Sequence, residues 1–148
     1  MKRIATILLV ALLVAGAAWS TAMAGPKSHY RDVPTLVNTT MAAFVQALND
    51  KSMQRFASRF VAFDGKPQKL EKAYSGLYPH AELFAEMRSF APVVTELAGA
   101  GAQKGLVVRG FYPGKYRISY EMLFVLENNE LKLSAFAVNV IPTASLDA

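Results

Sequence analysis

The chain has no cysteine and only two histidines in 148 residues. Without cysteine there is no disulfide staple, no thiol nucleophile and no attachment point for a bacterial lipoprotein anchor. Any fold must therefore be held by packing and hydrogen bonds alone. The histidines, His29 and His80, lie far apart, and neither has a partner at metal-ligand spacing, so no metal site and no cofactor are expected. No serine sits in a nucleophile-elbow context. Lys and Arg outnumber Asp and Glu by 16 to 11, but they are scattered and form no basic run. A nucleic-acid partner is not expected from such a distribution. Beyond the first twenty or so residues, no apolar run approaches the roughly 20 residues that a membrane-spanning helix needs.

The first 24 residues carry the clearest signal. Lys2 and Arg3 form a short positive start, Ile4 to Trp19 form an apolar stretch, and Ser20-Thr21-Ala22-Met23-Ala24 ends in Ala-x-Ala. That order is the signature of a secretory signal peptide cleaved after Ala24. A transmembrane anchor would need a longer uninterrupted run and would not place small residues at a cleavage point. The expected product is an exported chain, periplasmic or secreted, that begins at Gly25. Losing Lys2 and Arg3 lowers its formal charge from +5 to +3. What remains is the length of one ordinary domain.

Within that domain the residues predict helices first and strands afterwards. Residues 25–34 read as a flexible entry segment with Pro26 and Pro34 as breakers. Leu36, Met41, Phe44, Val45 and Leu48 recur at three- and four-residue steps and predict a helix from Thr35 to the Asn49-Asp50 break. Met53, Phe56, Ala57 and Phe60 predict a short second helix. Lys69 to Phe90 reads as a third helical region, broken at Tyr78-Pro79, with Leu83, Phe84, Met87 and Phe90 on its apolar face. Asn38-Thr39-Thr40 matches a glycosylation sequon inside the first helix and carries no meaning in a bacterial host.

From Pro92 the period shortens to two. Val93–Ala98 and Leu106–Tyr112 predict strands around a glycine-rich bend, Gly99–Gly105, which leads toward a strand and so is not a phosphate loop. Pro113-Gly114 is a turn. Lys115–Glu127 is the clearest strand: Tyr116, Ile118, Tyr120, Met122, Phe124 and Leu126 alternate with Lys115, Arg117, Ser119 and Glu121. Asn128-Asn129 predicts a tight hairpin. In the returning strand, Glu130–Ile141, the apolar phase slips by one residue between Leu133 and Phe136, which predicts a β-bulge or a change in the covered face. Thr143 to Ala148 reads as a tail. Helices followed by an antiparallel meander give an α+β domain, residues 35–142, with helices on one face of a curved sheet.

This pattern resembles the nuclear transport factor 2-like superfamily, which includes ketosteroid isomerases and limonene epoxide hydrolases. The resemblance is carried by Phe44-Val45-Gln46-Ala47-Leu48, the Asn49-Asp50 break, Met53, Phe56 and Phe60 in the second helix, and the closing hairpin from Tyr116 to Val140. It implies a cystatin-like cone roll with a cavity between helices and sheet, and a homodimer formed through the sheet face. The fold hosts enzymes, binders and assembly modules alike, so it does not by itself imply an activity. The acids or the Asp-Arg-Asp set that those enzymes place inside the cone have no counterpart on the apolar stripes of this chain.

The candidate residues follow from these readings. Tyr74, Tyr78, Tyr112, Tyr116 and Tyr120 are amphipathic rings able to line a pocket, with His80 at its mouth and Arg109 to meet an anionic group. The plainer alternative is that the rings fill the core. Phe111, Leu123, Val125, Phe136, Val138 and Val140 break the polar alternation and suggest an apolar outer sheet face that needs a cover: a second copy, an envelope protein or a terminal segment of the chain. The functional expectation is an exported, non-enzymatic domain that binds a small apolar or amphipathic ligand or serves assembly. The alternatives are an isomerase- or hydrolase-like enzyme using Tyr116, Tyr120 and His80, and an envelope interaction module.

Overall fold

The computed structural model describes residues 7–8, 32–61, 65–100 and 105–143. The other residues of the expected signal peptide, His29 and the rest of 25–31, residues 62–64, the expected bend at 101–104 and the expected tail after Thr143 lie outside the described residues. The first helix, α1, spans Val33–Asp50 and starts earlier than the sequence pattern suggested. Pro34 sits in its first turn, where the missing N–H has no intrahelical acceptor to lose, so the residue read as a breaker is a helix starter. Val33, Val37, Met41, Phe44, Val45 and Leu48 make the buried stripe, while Leu36 packs at its margin. The helix ends at Lys51, which turns into the left-handed region at φ 52°. There the Lys51 and Ser52 amides donate to Leu48 and Ala47 and close the last carbonyls.

A single helical turn, α2 (Gln54–Ala57), follows at once, with Met53, Phe56, Ala57 and Phe60 all buried. The Met53 amide donates to Glu71 Oε1 at 2.7 Å, so a carboxylate from the next helix caps this one. Helix α3 covers Pro67–Tyr74 and then tightens into a 3-10 stretch, Ser75–Ser89. Pro79 lies inside that stretch, and His80 beside it leaves helical geometry at φ −117°. Leu77, Leu83, Phe84 and Met87 still reach the core, whereas Phe90 lies just past the helical end and is exposed.

Four long strands form an antiparallel meander: β2 (Val93–Ala100), β3 (Gly105–Tyr112), β4 (Tyr116–Glu127) and β5 (Glu130–Pro142). A two-residue strand, β1 (Ile7–Leu8), adds to the β5 edge, giving the order β1-β5-β4-β3-β2. Asn128 and Asn129 both take positive φ, 53° and 62°, as a two-residue hairpin requires. The register of β4 against β5 shifts where Leu123 faces Ala135 and Phe124 faces Leu133, leaving Ser134 as the extra residue. This bulge keeps Leu133, Phe136, Val138 and Val140 all on the helix-covered face.

The outer-face assignment of Phe136, Val138 and Val140 is therefore corrected: the bulge returns them to the core. Leu123 does face outward and packs with Val107 and Ala135 in a small separate cluster. Val125 is on the same outer side, and Phe111 is there half-buried. The main core is aromatic. Phe44 packs against Phe56, Tyr74, Phe84 and Phe136 at centroid distances of 5.4, 5.3, 5.8 and 4.9 Å. These are tilted or edge-on contacts of the kind aromatic pairs favour. The fold is thus α+β, with helical segments on one face of a curved, unclosed antiparallel sheet. Among the described residues, no helix is long and apolar enough to cross a membrane.

Candidate functional site

The predicted tyrosine pocket is largely filled by its own rings. Tyr74 and Tyr112 are inaccessible to solvent and Tyr120 nearly so. Their hydroxyls are already committed: Tyr74 donates to the Phe136 carbonyl, Tyr112 to Asn38 Oδ1 at 2.7 Å, and Tyr120 to the Val93 carbonyl at 3.1 Å. Burial disfavours the phenolate, raising all three above the ordinary phenol value, Tyr120 to about 12. Tyr112 and Tyr120 are brought together, with ring centroids 5.7 Å apart. Tyr78 is half-buried and donates to Glu71 Oε2, the carboxylate whose other oxygen caps α2. Its phenol is raised first by burial and then by that carboxylate. These groups act as ties between elements.

Tyr120 reaches Val93 across β3 because residue 110 is glycine. A Cβ there would lie 1.9 Å from the Val93 carbonyl oxygen and 2.5 Å from the Tyr120 hydroxyl. Tyr116 is half-buried at the start of β4, with Lys115 Nζ 5.8 Å from its ring. His80 occupies the kink of the 3-10 stretch and lines neither of the two cavities described below. The sequon residues are structural too: Asn38 holds Tyr112, and the Thr40 hydroxyl donates to the Leu36 carbonyl at 2.8 Å.

Arg109 points away from the core, on the outer sheet face. Its guanidinium lies 2.7 Å from Glu96 and 3.0 Å from Glu121, and these hydrogen bonds, Glu121 first, raise its pKa further. With two carboxylates on it, the charge is matched within the chain and does not await an anionic ligand. Arg109 and Tyr120 both line a groove of about 340 Å³ on this face, together with Phe111, Arg117, Ser119 and Asn139. There the Arg117 guanidinium stacks 3.8 Å from the centre of the Phe111 ring.

The larger cavity, about 570 Å³, lies elsewhere, between the first half of α1, the turn after α2 and the tip of the β4–β5 hairpin. Its position follows from local chemistry. The Leu133 amide donates to Arg59 O at 2.8 Å, and the Val61 amide donates to Leu133 O at 2.9 Å. These bonds make a parallel bridge that fixes the α2 turn beside β5. The floor is apolar, formed by Leu36, Phe124, Leu131 and Leu133. Around it stand the hydroxyl residues Thr35, Thr39 and Ser58, the hairpin residue Asn129, and four charged residues, Asp32, Arg59, Glu130 and Lys132. Lys132 also lies 3.9 Å from Glu127.

None of these lining residues was read from the sequence as part of a site; those it named served as helix, strand, turn or sequon residues. Thr35 and Thr39 belong to the polar side of an amphipathic helix, which looks the same whether it faces water or a cavity. The one available signal was Leu36, apolar yet at the margin of the stripe. Among the described residues, no group of three or more His, Asp or Glu could hold a metal ion. Compared with known proteins, the chain matches no family model, no curated protein and no solved structure.

Proposed function

We propose that this chain is an exported domain that binds a small amphipathic ligand in the cavity at the α1–hairpin end. The observation that carries the reading is the cavity of about 570 Å³, with its apolar floor and hydroxyl rim. That size falls within the range of small-molecule sites, roughly 300–1,000 Å³. An apolar body would lie on Leu36, Phe124, Leu131 and Leu133, and polar groups would meet Thr35, Thr39, Ser58 and Asn129. The wall presents cations and carboxylates in equal number, Arg59 and Lys132 against Asp32 and Glu130, which favours a neutral or zwitterionic polar end over a strong anion. Binding rather than turnover is the reading because, of the residues an isomerase- or hydrolase-like mechanism would use, Tyr120 is spent on a structural bond and Tyr116 and His80 line neither cavity.

Export to the periplasm or beyond, and membership of the nuclear transport factor 2-like superfamily, are parts of the same proposal. They rest on the leader and on the helix–meander order. A second reading is assembly, as a homodimer or with an envelope protein, through the outer sheet face. The half-buried Phe111 and the exposed Val93 opposite it favour this reading, whereas Val107, Leu123 and Ala135 are already buried. The test is a native mass spectrum of the chain beginning at Gly25, purified gently from an exporting host. An adduct of small-molecule mass that disappears in Thr39→Trp, a substitution at an exposed cavity residue, supports the ligand reading. A dimer without an adduct moves the function to the sheet face, and a bare monomer overturns the ligand and the homodimer and leaves an envelope protein as the partner of that face.

A further inference from the structure

The sheet is longer by one short strand than its meander needs. Strand β1, Ile7–Leu8, pairs antiparallel with β5, placing Ile7 opposite Val140 and Leu8 opposite Asn139. β5 is 13 residues long with β4 on one side; on its other side, β1 is its only strand neighbour among the described residues. A long edge of unpaired amides and carbonyls is a template for an extended segment. The leader around β1 reads Ile4-Ala5-Thr6-Ile7-Leu8-Leu9-Val10, which is β-branched and apolar enough to serve as one.

One further observation lies at the same place. Asn139, in register with Leu8, has a buried side-chain oxygen with no hydrogen-bond partner, so this edge keeps a spare acceptor. Farther along the sheet, Val107, Leu123 and Ala135 form a separate buried cluster on the outer face.

We propose that the β5 edge is a strand-accepting surface whose occupant is this chain's own leader, docked through Ile7 and Leu8 in antiparallel register. The leader then acts as an edge strand of the folded domain for as long as it stays attached, whatever part it has in export. While docked, it keeps the 139–140 stretch of β5 from pairing with another chain. The proposal is independent of the ligand cavity, whose β5 residues, Glu130 to Leu133, lie at the other end of the strand from Asn139 and Val140.

The absence of native cysteine makes the test clean. In the full chain, produced by cell-free synthesis without membranes so that the leader is retained, Leu8→Cys is combined with Asn139→Cys, and Ile7→Cys with Val140→Cys. Directly opposed residues of an antiparallel pair have Cα separations of about 4.5–5.5 Å, within disulfide reach. The expected result is rapid cross-linking within one chain for at least one of the two pairs. Leu8→Cys with Glu130→Cys, far along the same strand, should cross-link at least tenfold more slowly. Adding Ile7→Pro to the Leu8/Asn139 pair should slow its cross-linking, because proline removes a ladder donor. Equal rates for matched and mismatched pairs would overturn the proposal, as would cross-links that join two chains rather than one. Circular dichroism of each reduced variant shows that the fold is retained, so a failure to cross-link cannot come from unfolding.

Discussion

At the scale of single residues, the buried phenols are the most readily tested feature. Tyr74, Tyr112 and Tyr120 are held above the ordinary value of 10.0, principally by burial. In the unfolded chain they lose their protons near pH 10, while in the folded chain they keep them to higher pH. The folded state therefore binds more protons in that window, so the stability these groups contribute is intact below about pH 10 and falls as pH rises through the folded values. Phenolate absorbance of the folded chain at pH 11 should thus fall well short of that in denaturant, and the urea midpoint should drop between pH 10 and 12. Tyr74→Phe should cost about 1 kcal/mol through loss of its bond to the Phe136 carbonyl, read as a lower urea midpoint at an unchanged slope. Gly110→Ala should cost more, ~3 kcal/mol, because its Cβ meets backbone that cannot move aside without parting β2 from β3.

At the scale of elements, periodicity made most of the fold legible. The β4 alternation, the Asn128-Asn129 hairpin and the phase slip between Leu133 and Phe136 all point to the paired strands that are present. The slip was ambiguous only in its consequence. A bulge and a change of face leave the same trace in sequence, and the register of β4 decides between them. Deleting Ser134 should therefore turn the bulge into regular pairing, keep Leu133, Phe136, Val138 and Val140 on the covered face and leave the thermal transition followed by circular dichroism cooperative, whereas deleting Ala137 should turn Val138 and Val140 outward together and abolish it. The helix boundaries were less legible, because Pro34 is a breaker in a helix interior and a starter in a first turn, and composition alone does not say which. At the other end of α1, Lys51 adopts a left-handed conformation that suits glycine better. Lys51→Gly should stabilise the domain by about 1 kcal/mol, seen as a higher melting temperature.

At the scale of the whole molecule, the candidate site was the least legible part. The tyrosines are conspicuous in sequence because they are large, and for the same reason they fill the space between helices and sheet. The cavity forms instead where three distant segments, at 32–40, 58–59 and 129–133, are brought together by tertiary contacts, and no local pattern marks that meeting. The outer face can be probed in the same terms. Leu123→Glu should break the Val107–Ala135 cluster. If that face serves assembly, the variant runs as a monomer in sedimentation where the parent chain is a dimer, and it leaves any ligand adduct in place.

The order in which the parts are made also has a consequence. The aromatic hub on α1 is completed by Phe136, and the hydroxyl of Tyr74 is tied to the backbone of that same residue. Leu133, Val138 and Val140 join the same core from the same strand. The helices are thus translated first, but the core they share is not complete until the last strand has emerged. Closing so long a loop costs chain entropy that only the completed strand repays. A nascent chain stalled before residue 133 lacks four residues of its own core, and the domain should lock only when synthesis is nearly finished.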